Sequence, residues 1–274
     1  MSLGIAFKGP EGIVLAADSR VTLTMQLQVP NQPPLLLPST YDNATKLLRV
    51  KGQDYIGAVT YGTGAIGLTE PRTAHSYMPE LEKELEGVDR LSVQEFANRL
   101  SQFFLLKWQA QNMPTAPGKD MVFLVGGYDD RAPYGRVFEV FIPSRPTPNE
   151  WHAGPGEFGL VWGGQKEFAD RLIAGFDGNL PELVKDFLNL DDQKRDELRQ
   201  RLQSQLQARV PFAFLPLQDC VDLAIFLIRT TIVMQHWVMD VRGVGGAIDV
   251  AVITPTDGFT EIQKKKITGE EMWS

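Results

Sequence analysis

Asp18 closes the run GIVLAAD, an apolar stretch in which a carboxylate needs a cation or several hydrogen-bond donors to offset its lost hydration. Two cations are at hand: Arg20, two residues on, and Lys46, at the head of another apolar run. Either supports a plain structural ion pair or a charged group held for catalysis. Ser2 raises a second question, because a serine that becomes the first residue of a chain carries a hydroxyl and an α-amine together. Other chemistries have little support. Cys220 is the single cysteine and lies on the apolar side of a helical pattern, as a buried small hydrophobe would. His75, His152 and His236 are scattered without ligand spacing, so neither a metal site nor a cofactor is expected.

The elements around these residues follow from periodicity. Residues 3–8 and 12–18 read as two strands joined by a tight turn at Gly9-Pro10-Glu11-Gly12, and 46–50 and 55–61 repeat that pattern. Ser92-Val93-Gln94-Glu95 is a capping box, and Phe96, Leu100, Phe103, Phe104 and Trp108 follow at helical spacing, predicting a helix over 92–111. A preceding helix is expected over much of 64–87. Strands return at 121–127, 136–142 and 158–162, and a helix spans about 164–175. A richer helix covers 217–235, and GGAIDVAVIT forms a closing strand before the turn at Thr256-Asp257-Gly258.

Two segments read as inserts in one domain spanning 1–274. Pro30, Pro33, Pro34 and Pro38 make about 25–40 a loop, either a connector or a substrate-lining element. Within 180–210, Leu198, Leu202 and Leu206 recur every four residues among polar ones, giving a helix that would project or pack on a neighbour. The order of elements implies an α+β fold with sheets inside and helices outside.

Composition narrows the partners. The 274 residues carry a net charge of −7, with one basic run at Lys264–Lys266, which disfavours nucleic acid. No apolar run nears the ~18 residues of a membrane span, and no signal-peptide pattern opens the chain, so a cytoplasmic protein is expected.

Taken together, GIVLAADSR, the IAFK stretch before it, Lys46-Leu47-Leu48-Arg49-Val50, YIGAVTYGTG, FLVGGYDD and GVGGAIDVAVIT resemble the proteasome β-type subunits, including bacterial and archaeal homologues, of the N-terminal-nucleophile (Ntn) hydrolases. The resemblance covers nearly the whole chain apart from the two inserts. It implies a four-layer αββα sandwich with antiparallel sheets between helical layers. It also implies roles: Ser2 as nucleophile after loss of Met1, Asp18 organising Lys46, and Gly62 donating its N–H to the oxyanion beside Tyr61. Thr22 matches a threonine whose backbone pairs with substrate as an added strand. An α-amine, with a reference pKa of ~7.7–8.0 against ~10.4 for lysine, can act as general base for its own hydroxyl.

The chain departs from that pattern in places. Serine replaces the usual threonine, and Trp162-Gly163-Gly164-Gln165-Lys166 has no hydroxyl where the family carries a serine. Asp240, after a one-residue slip, stands in for a later aspartate, Arg20 is a supporting residue, and Val244 lies near where a serine is usual. The expected activity is peptide-bond hydrolysis within a homo-oligomeric ring, on peptides or unfolded protein; whether an ATPase joins the ring stays open. A non-catalytic ring subunit and an amidase or transpeptidase are the alternatives.

Overall fold

In the computed structural model, which describes residues 2–27, 35–154, 156–239 and 242–269, the first apolar runs form β1 (Leu3–Lys8) and β2 (Ile13–Asp18). Every residue of both strands is buried, which explains why neither run alternates with polar residues. Gly9 N–H donates to Gly12 O at 2.9 Å and closes the turn between them. β1 also pairs with β10 (Gly159–Gly164), β2 with β11 (Ile248–Thr254), and β11 with β12 (Gly258–Gln263). These make one five-stranded antiparallel sheet in the order β10-β1-β2-β11-β12.

A second five-stranded antiparallel sheet runs in chain order through β5 (Leu47–Leu48), β6 (Ile56–Gly62), β7 (Met121–Gly127), β8 (Arg136–Ile142) and β9 (Arg145–Trp151). Period-two alternation sends the side chains of each strand to two different cores. From β6 and β7, Ile56, Ala58, Met121 and Phe123 pack with Phe96, Leu100 and Phe104 of α2 (Val93–Ala110). From β1 and β2, Leu3, Ile5, Val14 and Ala16 pack with Ala169 of α3 (Glu167–Ile173) and Ala224 and Leu227 of α6 (Leu217–Met234). The remaining set, including Leu15, Ala17, Val59, Tyr61, Leu124 and Val161, draws on both sheets and forms a third cluster.

Several expectations need correction. The stretch 64–87 is only a 3-10 turn (Ala74–Tyr77) and α1 (Met78–Glu84), because Pro71 and Gly67 at φ 108° interrupt it and Ile66 instead bridges to Arg72. The proline-rich segment is not all loop: β3 (Val21–Leu27) pairs with β4 (Leu35–Tyr41) in a separate two-stranded sheet, with Pro38 opposite Thr24. A two-stranded ribbon leaves one side of each strand unpaired, where a missing N–H costs no ladder bond. Strand β9 went unpredicted, since Arg145-Pro146-Thr147-Pro148 looks like a loop, yet it is a sheet edge where prolines are tolerated. The helix expected over 92–111 forms with its capping box: Ser92 Oγ accepts from Glu95 N–H and Glu95 accepts from Ser92 N–H. In the 180–210 segment, α4 (Leu180–Leu188) and α5 (Asp192–Leu206) form, and α5 buries no residue.

Candidate active site

Asp18, at the end of β2, is fully buried and its carboxylate is surrounded by donors. Lys46 Nζ lies 2.7 Å from Oδ1, which also accepts Leu3 N–H at 3.0 Å. The other oxygen accepts Arg20 N–H at 3.1 Å and Gly245 N–H at 2.9 Å. One side chain therefore ties together the start of β1, the residue leading into β3, the loop before β11 and the lysine. Arg20 contributes through its backbone only: its guanidinium turns to Asp42, with contacts of 2.6 and 2.8 Å, and to Arg242 O at 3.1 Å. Of the two candidate cations, Lys46 is thus the one that pairs with Asp18.

Lys46 is 5% exposed, and burial pushes its ammonium below the ordinary lysine range, an effect partly offset by the charge and hydrogen bond of Asp18. Such a lysine keeps a cation near its neighbours yet gives up a proton more readily than one in water. Lys265, whose Nζ pairs with the buried Asp249, adds a smaller push in the same direction, and Asp249 opposes it.

Ser2 is 3% exposed, with its hydroxyl oxygen 3.5 Å from Arg20 O, a long contact. Its carbonyl accepts Gln165 N–H at 2.8 Å, so the 162–166 segment without a hydroxyl does lie beside it. Gly62 ends β6 at φ 85°, where a side chain would be strained and a Cβ would stand 2.3 Å from Asp120 O. Thr60 N–H donates to Lys46 O and Thr63 N–H to Asp120 O, so alternation turns the Gly62 N–H to the Lys46 side of the strand.

Ser2, Lys46 and Gly62 line one cavity of ≈ 20 Å³, room for about one water. The segment Gly62–Gly64 lines both this cavity and a larger cleft of ≈ 810 Å³, walled by Thr22, Leu68, Met113, Lys119 and Glu167 among others. Thr22 sits on β3 with its Oγ1 3.2 Å from Thr40 Oγ1. Tyr61 does not turn its hydroxyl to the nucleophile: it donates to Glu139 Oε1 at 2.6 Å, and burial together with that carboxylate raises the phenol far above its usual range. It stays protonated and cannot serve as a base. Met1 and Asp240 lie outside the described residues.

Sequence reasoning missed the groups that close the other side. Gln235 Nε2 donates to Gln165 Oε1 at 2.8 Å, and Gln235 Oε1 accepts Val244 N–H at 3.0 Å. The buried Ser19 donates to Ala247 O and takes up Gly245 O through its own N–H. Glutamines near helix ends carry no periodic signal; only the apolar patterning around Gln235 hinted at its burial. Cys220 is buried, its thiol pushed up to about 11 by desolvation. Among the described residues no group of three or more His, Cys, Asp or Glu could hold a metal, and no helix is long and apolar enough to cross a membrane.

Two five-stranded antiparallel sheets with flanking helices give a mixed α/β fold, and at one end of β1 it gathers a serine, a lysine–aspartate pair and a glycine. Among solved structures the chain is similar to the Anbu (Gly-1) mutant from Hyphomicrobium sp. strain MC1, with a TM-score of 0.54 over 99% of this chain and 90% of that one. Sequence identity is 15%, so the likeness is one of fold alone. No protein-family model matches the chain, and no curated protein matches it.

Proposed function

We propose that the chain is a single-domain, four-layer αββα Ntn hydrolase that cleaves peptide bonds with Ser2 as nucleophile once Met1 is removed. The observation that carries this reading is the shared cavity of Ser2, Lys46 and Gly62, with Lys46 paired to a carboxylate that three backbone N–H groups hold. The hydroxyl of Ser2 attacks the peptide carbonyl carbon while its proton passes to the α-amine of the same residue. Negative charge on the carbonyl oxygen is met by the Gly62 N–H; one such donor is worth ~3–4 kcal/mol in the transition state. Collapse breaks the C–N bond, the α-ammonium returns the proton to the departing amine, and an ester on Ser2 remains. Water, losing a proton to the α-amine, then attacks the ester carbon; the bond to Ser2 Oγ breaks, the α-ammonium returns the proton to that oxygen, and the acid leaves. The Lys46 charge favours the deprotonated nucleophile throughout.

Substrate would enter through the ≈ 810 Å³ cleft and pair its backbone with the β3 edge at Thr22. A homo-oligomeric ring in the cytoplasm, acting on peptides or unfolded chains, completes the proposal. A second reading, a non-catalytic subunit of the same fold, is favoured by one observation: Ser2 is 3% exposed beside a cavity of only ≈ 20 Å³. Intact mass of the native protein, followed by labelling with a peptide β-lactone, separates the two. A chain beginning at Ser2 that gains one acyl group, with Ser2→Ala unlabelled, supports the hydrolase. Retained Met1 and no adduct would leave the scaffold. Sedimentation at micromolar concentration tests the ring, against which a species of only 30.6 kDa would count.

A further inference from the structure

We infer that Tyr61 is a positioning residue, which sets the spacing between the strand of Ser2 and the N–H of Gly62 through a buried Tyr61–Glu139–Trp151 chain; this rests on the hydrolase reading above. Gly4 and Gly163 face each other across the β1–β10 ladder. A Cβ on Gly4 would stand 2.8 Å from Tyr61 Cδ1, and one on Gly163 would stand 2.1 Å from the phenol oxygen. The ring thus rests against both backbones, and no side chain at either position leaves room for it. Tyr61 is bonded to Gly62, and Gly4 lies two residues from Ser2. One ring therefore spans from the oxyanion donor to the nucleophile's strand across the two sheets.

The far end of the ring is fixed as well. The Tyr61 hydroxyl donates to Glu139 Oε1 at 2.6 Å, and Trp151 Nε1–H donates to Glu139 Oε2 at 3.1 Å. Glu139 is 8% exposed on β8, and among the described residues no lysine or arginine forms an ion pair with it. A phenylalanine over a leucine would fill the same space without taking a carboxylate out of water. What the polar chain adds is direction: a short bond to a carboxyl oxygen holds the ring along its long axis. Misplacement of reacting groups by about 1 Å costs on the order of 100-fold in rate, so a device that limits such slack acts on turnover.

The test is steady-state hydrolysis of a peptide ester by protein beginning at Ser2. Tyr61→Phe lowers kcat on the order of 10-fold while KM and the pH of half-maximal rate stay as in the parent. Glu139→Gln does the same for a different reason: Tyr61 and Trp151 now compete for a single acceptor oxygen, and where Trp151 Nε1–H takes it the amide NH2 donates to the Tyr61 oxygen and the phenol proton loses its acceptor. Adding Trp151→Phe removes that conflict, and the double variant E139Q/W151F regains most of kcat. An unchanged kcat in Tyr61→Phe, or a folded E139Q/W151F no faster than E139Q, would overturn the inference while leaving the hydrolase reading intact. Parent protein inert toward the ester, with a free Ser2, overturns both.

Discussion

Ser2 has two unlike walls. On one side a buried carboxylate holds a lysine and three backbone N–H groups. On the other, two glutamines and the Val244 N–H form a neutral amide chain, and the N–H of one of them, Gln165, holds the Ser2 carbonyl. Among the described residues, the bonds of the neutral wall satisfy buried polar groups through amides. The charged wall is a costly way to join three segments, because a buried ion pair adds little net stability over apolar packing. Its cost makes sense where the cation acts on something in the cavity.

Variants that break the charged wall have the largest expected effect. Lys46→Ala strands the Asp18 carboxylate and lowers unfolding free energy by ~3–5 kcal/mol in urea melts, besides abolishing acylation of Ser2. Adding Asp18→Leu does not restore stability, since Leu3, Arg20 and Gly245 lose their acceptor; a double variant as stable as the parent would reduce the wall to an isolated pair.

Breaking the neutral wall costs less. Gln235→Leu orphans the Val244 N–H and one Gln165 contact, a loss of ~1–3 kcal/mol in the same melts, with Ser2 labelling retained per folded molecule. If labelling fell as far as in Lys46→Ala, the two walls would not differ in kind.

The walls also differ in pH response. Burial holds Lys46 below 10.5, so between that depressed value and 10.5 the unfolded chain binds more protons than the folded one. Stability contributed by this group therefore rises with pH through that window. Urea midpoints measured against pH should show the rise in the parent and lose it in Lys46→Met. The smallest effect is expected at the rim: the Arg20–Asp42 side chains are 20% and 46% exposed, and Arg20→Ala should cost ~0–1 kcal/mol, lessened by salt. A larger loss would place the Arg20 side chain, and not its backbone N–H alone, in the charged wall.

Much of the architecture was legible in the order of residues. A fully apolar run ending in an acid announces a buried strand with a partner to find, and a capping box followed by apolar residues at helical spacing announces α2. Segments whose partners lie on one side only were harder to read. Strands β4 and β9 contain prolines that normally argue against a sheet, and only their edge positions make those prolines harmless.

By itself, the sequence determined the strands that bury both faces, the long helices, and the need for a cation at Asp18, because periodicity and desolvation are local demands. Only the tertiary structure decided which cation answers, since Lys46 is 28 residues from Asp18 along the chain while Arg20 is nearer but turns to Asp42. It alone decided that Gln235 meets Gln165 across 70 residues and that Tyr61 reaches Glu139 across 78. Pairings at such distances are set by strand register and helix packing, to which no short window of residues has access.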